Sequence, residues 1–385
     1  MTVMQDPCCL ADYYLLDPSF AMLNNGSCGA VPRPVFESYL RLQRELEFHP
    51  DTFIAGALER KKEVRAVLAE YLGTVADNIA LVTNVTAGLN FVIRSLGLQE
   101  GDEVLSTNQE YGSINRAWVF MAAKRGFKYV NHPFPGPVTT PEDLVEAFWR
   151  GVTPRTKVIA FSHITAPTAL IFPAELICRR AREAGILSVV DGAHAPGQIP
   201  LALDRIGADF YAGNLHKWAS APKGTAFLYA RPEVQGLIEP LVVNWGWKDP
   251  PGASHFSTYL QELGTRDPSR FLVIPEALKF MKEHNWDGVG ARCHRMLGQA
   301  QKRICELTGL GPLNPLDEDR WYSQMATAPL PAVDLGKLHR RLYDEYKVDV
   351  VMTGWNGRHL TRVSIQAYNT PNDVDRLLEA LKALL

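Results

Sequence analysis

Short apolar segments alternate with amphipathic stretches between about residue 80 and residue 230 of this 385-residue chain. One repeat is clear: residues 157–162 predict a strand, residues 174–184 a helix that ends at Gly185, and residues 187–191 the next strand. A strand, a helix and a strand in this order form a parallel pair with a right-handed crossover. The pattern therefore predicts an α/β fold that is built on a mostly parallel sheet.

Polar residues close or follow three of the apolar segments. Thr83 and Asn84 end a predicted strand at residues 80–84, and Asp191 ends the strand at residues 187–191. Lys217 comes just after another apolar stretch. Because open parallel sheets bind ligands at the carboxyl ends of their strands, we expect these side chains to converge on one ligand.

The aspartate and the lysine suit a pyridoxal phosphate site. The Lys217 amine can form a Schiff base with the cofactor aldehyde. The Asp191 carboxylate can pair with the pyridinium nitrogen and keep it protonated, so that the ring accepts electrons from a substrate carbanion. The pair alone is not specific, because an Asp or Lys near a strand end is more often a surface charge or a helix cap.

A helix that could hold the phosphate supplies the third element. Apolar residues recur at helical spacing in the segment that ends at Gly97: Leu89, Val92, Ile93 and Leu96. We expect Thr86 to be the N-cap and the free amides of Ala87 and Gly88 to point at an anion. By itself this is an ordinary capped helix, but with Asp191 and Lys217 in this order it predicts a cofactor site.

Motifs with a consistent order and spacing run through nearly the whole chain. They are Leu-Asn-Asn-Gly-Ser at 23–27 with Gly29, Thr-Asn-Val-Thr-Ala at 83–87, Glu-Tyr at 110–111, Phe-Ser-His at 161–163, Asp-Gly-Ala-His-Ala-Pro-Gly at 191–197, Asp-Phe-Tyr-Ala-Gly at 209–213, His-Lys-Trp at 216–218, Gly-Thr-Arg-Asp at 264–267 and Arg-Val-Ser at 362–364. In these motifs the chain resembles the class V aminotransferase superfamily of pyridoxal phosphate enzymes, in its isopenicillin N epimerase-like branch. The resemblance implies the fold type I architecture, with a large domain and a smaller C-terminal α/β domain.

The resemblance also implies which residues contact the cofactor, pyridoxal 5'-phosphate. Lys217, Asp191 and His194 are the expected catalytic residues, with His194 near the phenolic oxygen. The expected cofactor-binding residues are Thr86, Ala87, Tyr111, Asp191, His194, His216, Lys217 and Thr265. Among them, Tyr111 stacks on the ring, and Thr86, the Ala87 amide and His216 bind the phosphate.

Two further residues are expected to bind an amino-acid-like substrate: Asn25 and Arg362. The guanidinium fork of Arg362 matches a carboxylate. Thr265 would reach the phosphate of a neighbouring subunit, so we expect a homodimer with the active site at the interface. Cys28 stands where the branch usually has an aromatic residue, and Asn214 with Leu215 replaces a small polar pair.

The pattern along the chain predicts three parts. These are an N-terminal arm with an active-site loop at residues 1–30, a large cofactor-binding domain at 31–270 and a small domain at 271–385. The small domain is expected to contain strands at 320–329, 348–353 and 359–365, and helices at 334–346 and 373–385. Residues 245–264, which include Trp245 and Trp247, predict a long loop.

Composition excludes several classes of protein. The net charge of −2 indicates no general attraction to nucleic acid or to an anionic membrane. We see no apolar run of membrane-spanning length and no secretory signal, and so expect a cytoplasmic enzyme. The six cysteines show no Cys-x-x-Cys pairing and the histidines no His-Glu-x-x-His motif, so neither a disulfide framework nor a metal site is predicted.

The resemblance favours an amino-acid epimerase, which removes and returns the α-proton of its substrate. The alternatives are a C–S lyase that eliminates a β-substituent, a class V aminotransferase and a non-catalytic cofactor-binding sensor. A desulfurase is set aside, because residues 350–358, where related desulfurases carry a catalytic cysteine, contain none. Epimerisation needs a second proton donor opposite Lys217, and both His194 and Tyr111 have suitable chemistry.

Overall fold

The computed structural model of the chain describes residues 9–134, 140–244, 255–313 and 320–385. The N-terminal part contains β1 (Ala21–Met22), α1 (Asn25–Cys28), α2 (Arg33–Phe48) and α3 (Pro50–Leu72). The middle part contains β2 (Ile79–Val82), α4 (Val85–Ser95), β3 (Glu103–Thr107), α5 (Gly112–Arg125), β4 (Lys128–His132), α6 (Pro141–Trp149), β5 (Thr156–Ser162), α7 (Ala174–Glu183), β6 (Leu187–Asp191), α8 (Leu203–Ile206), β7 (Phe210–Asn214) and β8 (Ala226–Ala230). The C-terminal part contains α9 (His255–Gln261), α10 (Ser269–Leu272), α11 (Ile274–Glu283), α12 (Trp286–Thr308), β9 (Met325–Leu330), α13 (Leu335–Tyr346), β10 (Val348–Asp349), β11 (Val351–Trp355), β12 (Arg358–Ser364) and α14 (Pro371–Leu384).

A seven-stranded sheet in the order β2-β8-β7-β6-β5-β3-β4 forms the centre of the molecule. Strands β4, β3, β5, β6 and β7 run parallel to one another, and β8 is antiparallel to both β7 and β2. The predicted α/β fold with a mostly parallel sheet is therefore confirmed.

The sheet has a hydrophobic core on each face, as its strand β5 illustrates. Val158 and Ala160 lie in the core that contains α4 and α5, whereas Ile159 and Phe161 lie in the core that contains α3, α6 and α7. Successive side chains of a strand point to opposite faces, so a strand buried on both sides is apolar throughout. This explains the continuous apolar segments of the sequence.

The C-terminal part contains a second, three-stranded antiparallel sheet in the order β11-β12-β9. The N-terminal arm is joined to this part, because β1 pairs in parallel with β10 and the Ser364 amide donates to the Leu23 carbonyl. The central sheet lies within residues 79–230 and the second sheet within residues 325–364. The predicted domain boundaries after residues 30 and 270 stay predictions.

Three local predictions need correction. The predicted strand at 320–329 begins only at Met325, and the predicted strand at 348–353 is divided between β10 and β11. The predicted long loop is wrong at residues 255–261, because α9 forms there and buries Phe256 and Leu260 in the core beside β2. Trp245 and Trp247 lie outside the described residues. None of the helices in the described ranges combines the length and the apolar character that a membrane crossing requires.

Gly29, at the end of α1, brings the N-terminal arm directly onto the backbone that carries Lys217. Its φ is +68°, and a Cβ atom there would lie 2.2 Å from the His216 carbonyl oxygen and 2.5 Å from that of Lys217. Backbone atoms cannot move aside as a flexible side chain can. A residue with a side chain is therefore excluded by both conformation and space.

We predict that Gly29→Ala lowers the free energy of unfolding by about 2 kcal/mol or more, through strain and displacement of the Lys217 segment. The matched control is Gly56→Ala in α3, where a Cβ atom would have no neighbour within 4 Å. This control should stabilise the protein by about 0.5–1 kcal/mol, because glycine is a poor helix former. Urea denaturation followed by circular dichroism measures both changes. Equal stabilities for the two variants would contradict the close packing of α1 on this segment.

Candidate active site

The carboxyl ends of β5, β6 and β7 bring the predicted cofactor residues together. Ser162 at the end of β5 is the register partner of Asp191 at the end of β6, and Asp191 is the partner of Ala212 in β7. Lys217 lies in the loop that follows β7. The loop returns toward β6, because Nζ of Lys217 lies 3.2 Å from Nε2 of His194, three residues after Asp191.

Asp191 has one satisfied and one unsatisfied carboxylate oxygen. Its Oδ1 accepts a hydrogen bond of 2.9 Å from the Ala193 amide. Its Oδ2 is buried and has no hydrogen-bond partner in the described part of the chain. Burial raises the pKa of Asp191, although the Ala193 hydrogen bond and the charge of Lys217 oppose this effect. The carboxylate is therefore available to a donor that enters the site.

The Lys217 amine lies near Asp191 and His194. Burial lowers the pKa of Lys217 to about 8, against the opposing attraction of Asp191. Its Nζ lies 3.2 Å from Nε2 of His194. Near neutral pH an appreciable fraction of the amine is thus uncharged, and only the uncharged amine is a nucleophile.

His194 is buried between Lys217 and Trp218. Nδ1 of His194 accepts a hydrogen bond of 3.3 Å from the Trp218 indole Nε1. Burial holds the pKa of His194 well below its usual value, and the positive charges of Lys217 and Arg362 lower it further. The imidazole is therefore neutral. Trp218 was missed as a site residue, although it belongs to the His-Lys-Trp motif.

The N-terminus of α4 differs from the prediction in its capping residue. Asn84, not Thr86, is the N-cap, and its Oδ1 accepts from the Ala87 amide at 2.8 Å. Asn214, at the end of β7, accepts from the Val85 amide at 3.0 Å. The prediction that the amides of Ala87 and Gly88 are free is therefore wrong, since the Gly88 amide donates to the Asn84 carbonyl. Thr86 lies half-buried in the first turn.

His216 has a fixed hydrogen bond on one side of its ring. Nδ1 lies 2.9 Å from the Thr225 carbonyl oxygen, so Nδ1 must carry the proton that is donated. Burial lowers the pKa of His216 to about 4, although this hydrogen bond opposes the shift. The neutral ring therefore has an unprotonated Nε2.

The predicted substrate residues lie on two elements that flank the lysine. Arg362 on β12 is buried and donates from NH1 to the Ala166 carbonyl at 2.6 Å, while its Nε has no partner among the residues described. Burial lowers the pKa of Arg362 to about 10. Asn25 on α1 donates to the Lys217 carbonyl at 3.1 Å and accepts from the Tyr368 hydroxyl at 3.2 Å. Asn25 thus supports the lysine backbone, and its substrate contact stays a prediction.

Three other residues singled out in the sequence are exposed. Tyr111, directly before α5, is 49% exposed. Thr265 is exposed beside Gly264, and Cys28 is exposed at the end of α1. Cys28 is close enough to Lys217 to influence the pKa of the amine. The cofactor contacts of Tyr111 and Thr265 stay predictions.

Glu110 is a buried acid that sequence reasoning did not single out. It accepts hydrogen bonds of 2.6 Å from the hydroxyls of Thr107 and Ser162. Burial raises its pKa to about 7, and the charge of Asp191 adds to this effect. Glu110 thus joins the ends of β3 and β5 beside the site. The Glu-Tyr motif was the signal that could have identified it.

Known proteins resemble this chain in sequence and in fold. A family model described as aminotransferase class-V matches residues 51–377. The isopenicillin N epimerase of Amycolatopsis lactamdurans is 34% identical over 383 residues, which cover 96% of both chains. The probable chloroplastic L-cysteine desulfhydrase of Arabidopsis thaliana is 27% identical over 415 residues, with 96% of this chain and 84% of that one covered. A mutant of C-DES with glycine covalently linked to its PLP cofactor superposes with a TM-score of 0.80 at 20% identity, covering 94% of this chain and 96% of that one.

These comparisons confirm two further predictions, in addition to the α/β fold with a mostly parallel sheet. The likeness to C-DES confirms the fold type I architecture. The family match confirms pyridoxal 5'-phosphate as the cofactor, because class V enzymes depend on it. By the match of its residues 51–377 and its identity to full-length relatives, the chain belongs to the aminotransferase class-V family.

Proposed function

We propose that the chain is an amino-acid epimerase of the isopenicillin N epimerase type, which acts on an amino acid or on a small molecule that contains one. The observation that carries this proposal is the 34% identity to such an epimerase over 96% of both chains. The desulfhydrase is less similar, at 27%, and a smaller share of its own length is covered. Because one fold hosts many chemistries, the closer full-length relative is the better guide to the reaction.

The buried groups of the site fit pyridoxal phosphate. A ring N–H would satisfy Oδ2 of Asp191, which has no other partner within the described ranges, and a protonated ring would offset its buried charge. The Lys217 amine, with its pKa of about 8, would hold the cofactor aldehyde covalently. We assign the phosphate to Thr86, Ala87 and His216 near the N-terminus of α4, where the helix dipole favours an anion. Ala87 would then share its amide with the Asn84 cap.

The residues around the cofactor have distinct tasks in this proposal. When bound, pyridoxal phosphate accepts the electron pair that remains when the substrate loses its α-proton. Lys217, whose amine would be free again once the substrate amine has displaced it from the cofactor aldehyde, would take this proton, a task that suits an amine whose pKa burial has lowered toward neutrality. Arg362 binds the substrate carboxylate, for which its buried Nε, without a partner in the described residues, supplies a donor.

Epimerisation also needs a proton donor on the face opposite Lys217. We assign this role to Tyr111, because His194 hydrogen-bonds to Nζ and therefore lies on the side of the lysine. The exposure of the Tyr111 side chain, 49%, leaves its hydroxyl accessible to a substrate and to water that restores its proton.

A C–S lyase is the second candidate. Its support is the likeness to the Arabidopsis desulfhydrase over 96% of this chain. Both reactions begin with removal of the α-proton by Lys217. In a lyase the substrate then loses its β-substituent, whereas in an epimerase the α-carbon receives a proton on the other face. The substrate's β-carbon, together with the presence or absence of the second donor, decides between them.

We further propose that the enzyme is a cytoplasmic homodimer with its active site at the subunit interface. The exposed position of Thr265 supports this assembly, since a residue that contacts the cofactor of a neighbouring subunit must be accessible on its own chain.

The reaction is tested by incubating the cofactor-loaded protein with L- and D-amino acids in heavy water. We expect deuterium at the α-carbon together with loss of optical purity, and a decrease of about 10²-fold or more in both for Lys217→Ala, because a positioned base contributes that much. Lys223→Ala, an exposed lysine six residues further on, is the control and should retain the activity. Ammonia with a keto acid would instead indicate the lyase, and a keto acid formed only with an amino acceptor would indicate an aminotransferase.

The fit of Asp191 to the cofactor is tested by thermal unfolding with and without pyridoxal phosphate. Asp191→Asn should leave the cofactor-free protein as stable as the wild type or more so, because it removes a buried charge that lacks a full set of partners. The rise in Tm on adding cofactor should shrink, since the ring loses its ionic partner.

The matched control is Asp209→Asn, another buried aspartate, whose carboxylate accepts from Ser188 and pairs with Arg231. It should destabilise both forms and preserve the rise in Tm. A full cofactor-induced rise in Asp191→Asn would contradict the assigned role.

The phosphate contact of His216 predicts proton uptake on cofactor binding. With its pKa near 4 and Nδ1 committed to Thr225, His216 must gain a proton on Nε2 before it can donate to a phosphate. A bound phosphate dianion raises this pKa, so cofactor affinity through this contact falls as pH rises. Calorimetry at pH 7.5 in two buffers of different ionisation enthalpy should count about one proton more for the wild type than for His216→Gln. Equal counts would contradict the contact.

A further inference from the structure

The hydrogen bonds on the two sides of His194 determine where its proton lies. An indole N–H is a donor and never an acceptor, so Nδ1 of His194, 3.3 Å from Nε1 of Trp218, must be the acceptor and carries no proton. A neutral imidazole has one N–H, which is therefore on Nε2. This nitrogen lies 3.2 Å from Nζ of Lys217. The amine must then accept the hydrogen bond, and only an uncharged amine has a lone pair to do so.

We propose that Trp218 is a positioning residue, which fixes the proton of His194 on Nε2 and thereby holds the Lys217 amine in its uncharged form. The low pKa of His194 agrees with a ring that keeps a single proton. The lowered pKa of Lys217 agrees with a neighbour that donates to the amine. The inference builds on the proposed role of Lys217, because an uncharged amine is the form that attacks an aldehyde or removes a proton.

The backbone around Trp218 leaves the indole little freedom. A Cβ atom on Gly197, whose φ is +83°, would lie 2.4 Å from the Trp218 carbonyl carbon, so the two backbones are in contact. The Trp218 carbonyl accepts from Gln366 at 3.4 Å, and the His194 carbonyl accepts from Gln198 at 2.8 Å. The backbone segments that carry the Trp218 indole and the His194 imidazole are thus both fixed by contacts.

Other charged groups also act on Lys217, and the test must hold them constant. Those that influence its pKa are Asp191, Arg362 and Cys28, and His216 in addition influences His194. Each of these side chains is unchanged in the variants used below. A difference in the Lys217 titration then reports on the Trp218–His194–Lys217 chain.

The test compares Trp218→Phe with Trp118→Phe in the full-length protein after removal of the cofactor. Trp118 is also fully buried, but its Nε1 has no hydrogen-bond partner in the described parts of the chain, so the control removes an indole without removing such a bond. Competitive acetylation over a range of pH, with the Lys217 peptide quantified by mass spectrometry, measures the pKa of the amine without any assay of activity.

We expect the wild type and Trp118→Phe to titrate alike. In Trp218→Phe the proton of His194 can move to Nδ1, and Nε2 then accepts from the ammonium and favours the charged form. The pKa of Lys217 should rise by about one unit, which lowers its uncharged fraction at pH 7 about tenfold. An unchanged titration in folded Trp218→Phe would overturn the proposal.

A second measurement is made on the wild type and therefore does not require that Trp218→Phe folds. Nitrogen-15 NMR of the cofactor-free wild type, with the His194 signals assigned by their loss in His194→Gln, distinguishes the two tautomers. Protonation on Nε2 supports the proposal, and protonation on Nδ1 overturns it. Neither measurement uses a substrate. The proton arrangement of His194 and the proposed epimerase reaction are therefore tested independently, and either can be contradicted without the other.

Discussion

The site depends on burying a carboxyl group and an amine at one edge of the central sheet. Burial raises the pKa of Asp191 and lowers that of Lys217, while each charge partly stabilises the other. A buried polar atom without a partner typically costs about 1–3 kcal/mol, and Oδ2 of Asp191 is such an atom within the described residues. Residues of β6 and β7 belong to the hydrophobic cores on both faces of the sheet, and this packing holds the two strands in place. We propose that the same burial that costs stability in the free protein prepares the carboxylate and the amine for the cofactor.

Elements whose signals are local could be predicted from the sequence. The strand β5, the helix α7 and the strand β6 follow from apolar periodicity, and the final helix predicted from residue 373 is α14, which begins at Pro371 after a Thr370 capping box. The cap of α4 was misplaced by two residues, because Asn84 and Thr86 are both good capping residues and the local sequence does not say where the strand ends. Helix α9 was missed because its burial beside β2 is a tertiary effect that the mixed polar and aromatic sequence conceals.

The contacts that give the site its chemistry join residues far apart in the chain, and the sequence does not specify them. The motifs identified Lys217, Asp191 and His194, and the structure brings these three together. The Trp218 indole on His194 and the packing of Gly29 on the Lys217 backbone depend on how the loops return to the sheet. Thr265 and Tyr111 remain assigned by resemblance, since both side chains are exposed on the single chain.

We propose that one amine, that of Lys217, both holds the cofactor and moves the α-proton. Borohydride reduction of the cofactor-loaded protein, followed by digestion and peptide mapping, tests it most directly. A single peptide, the one spanning residues 216–218, should carry the reduced cofactor, with the label on Lys217. A label on another lysine, or no label at all, would contradict it.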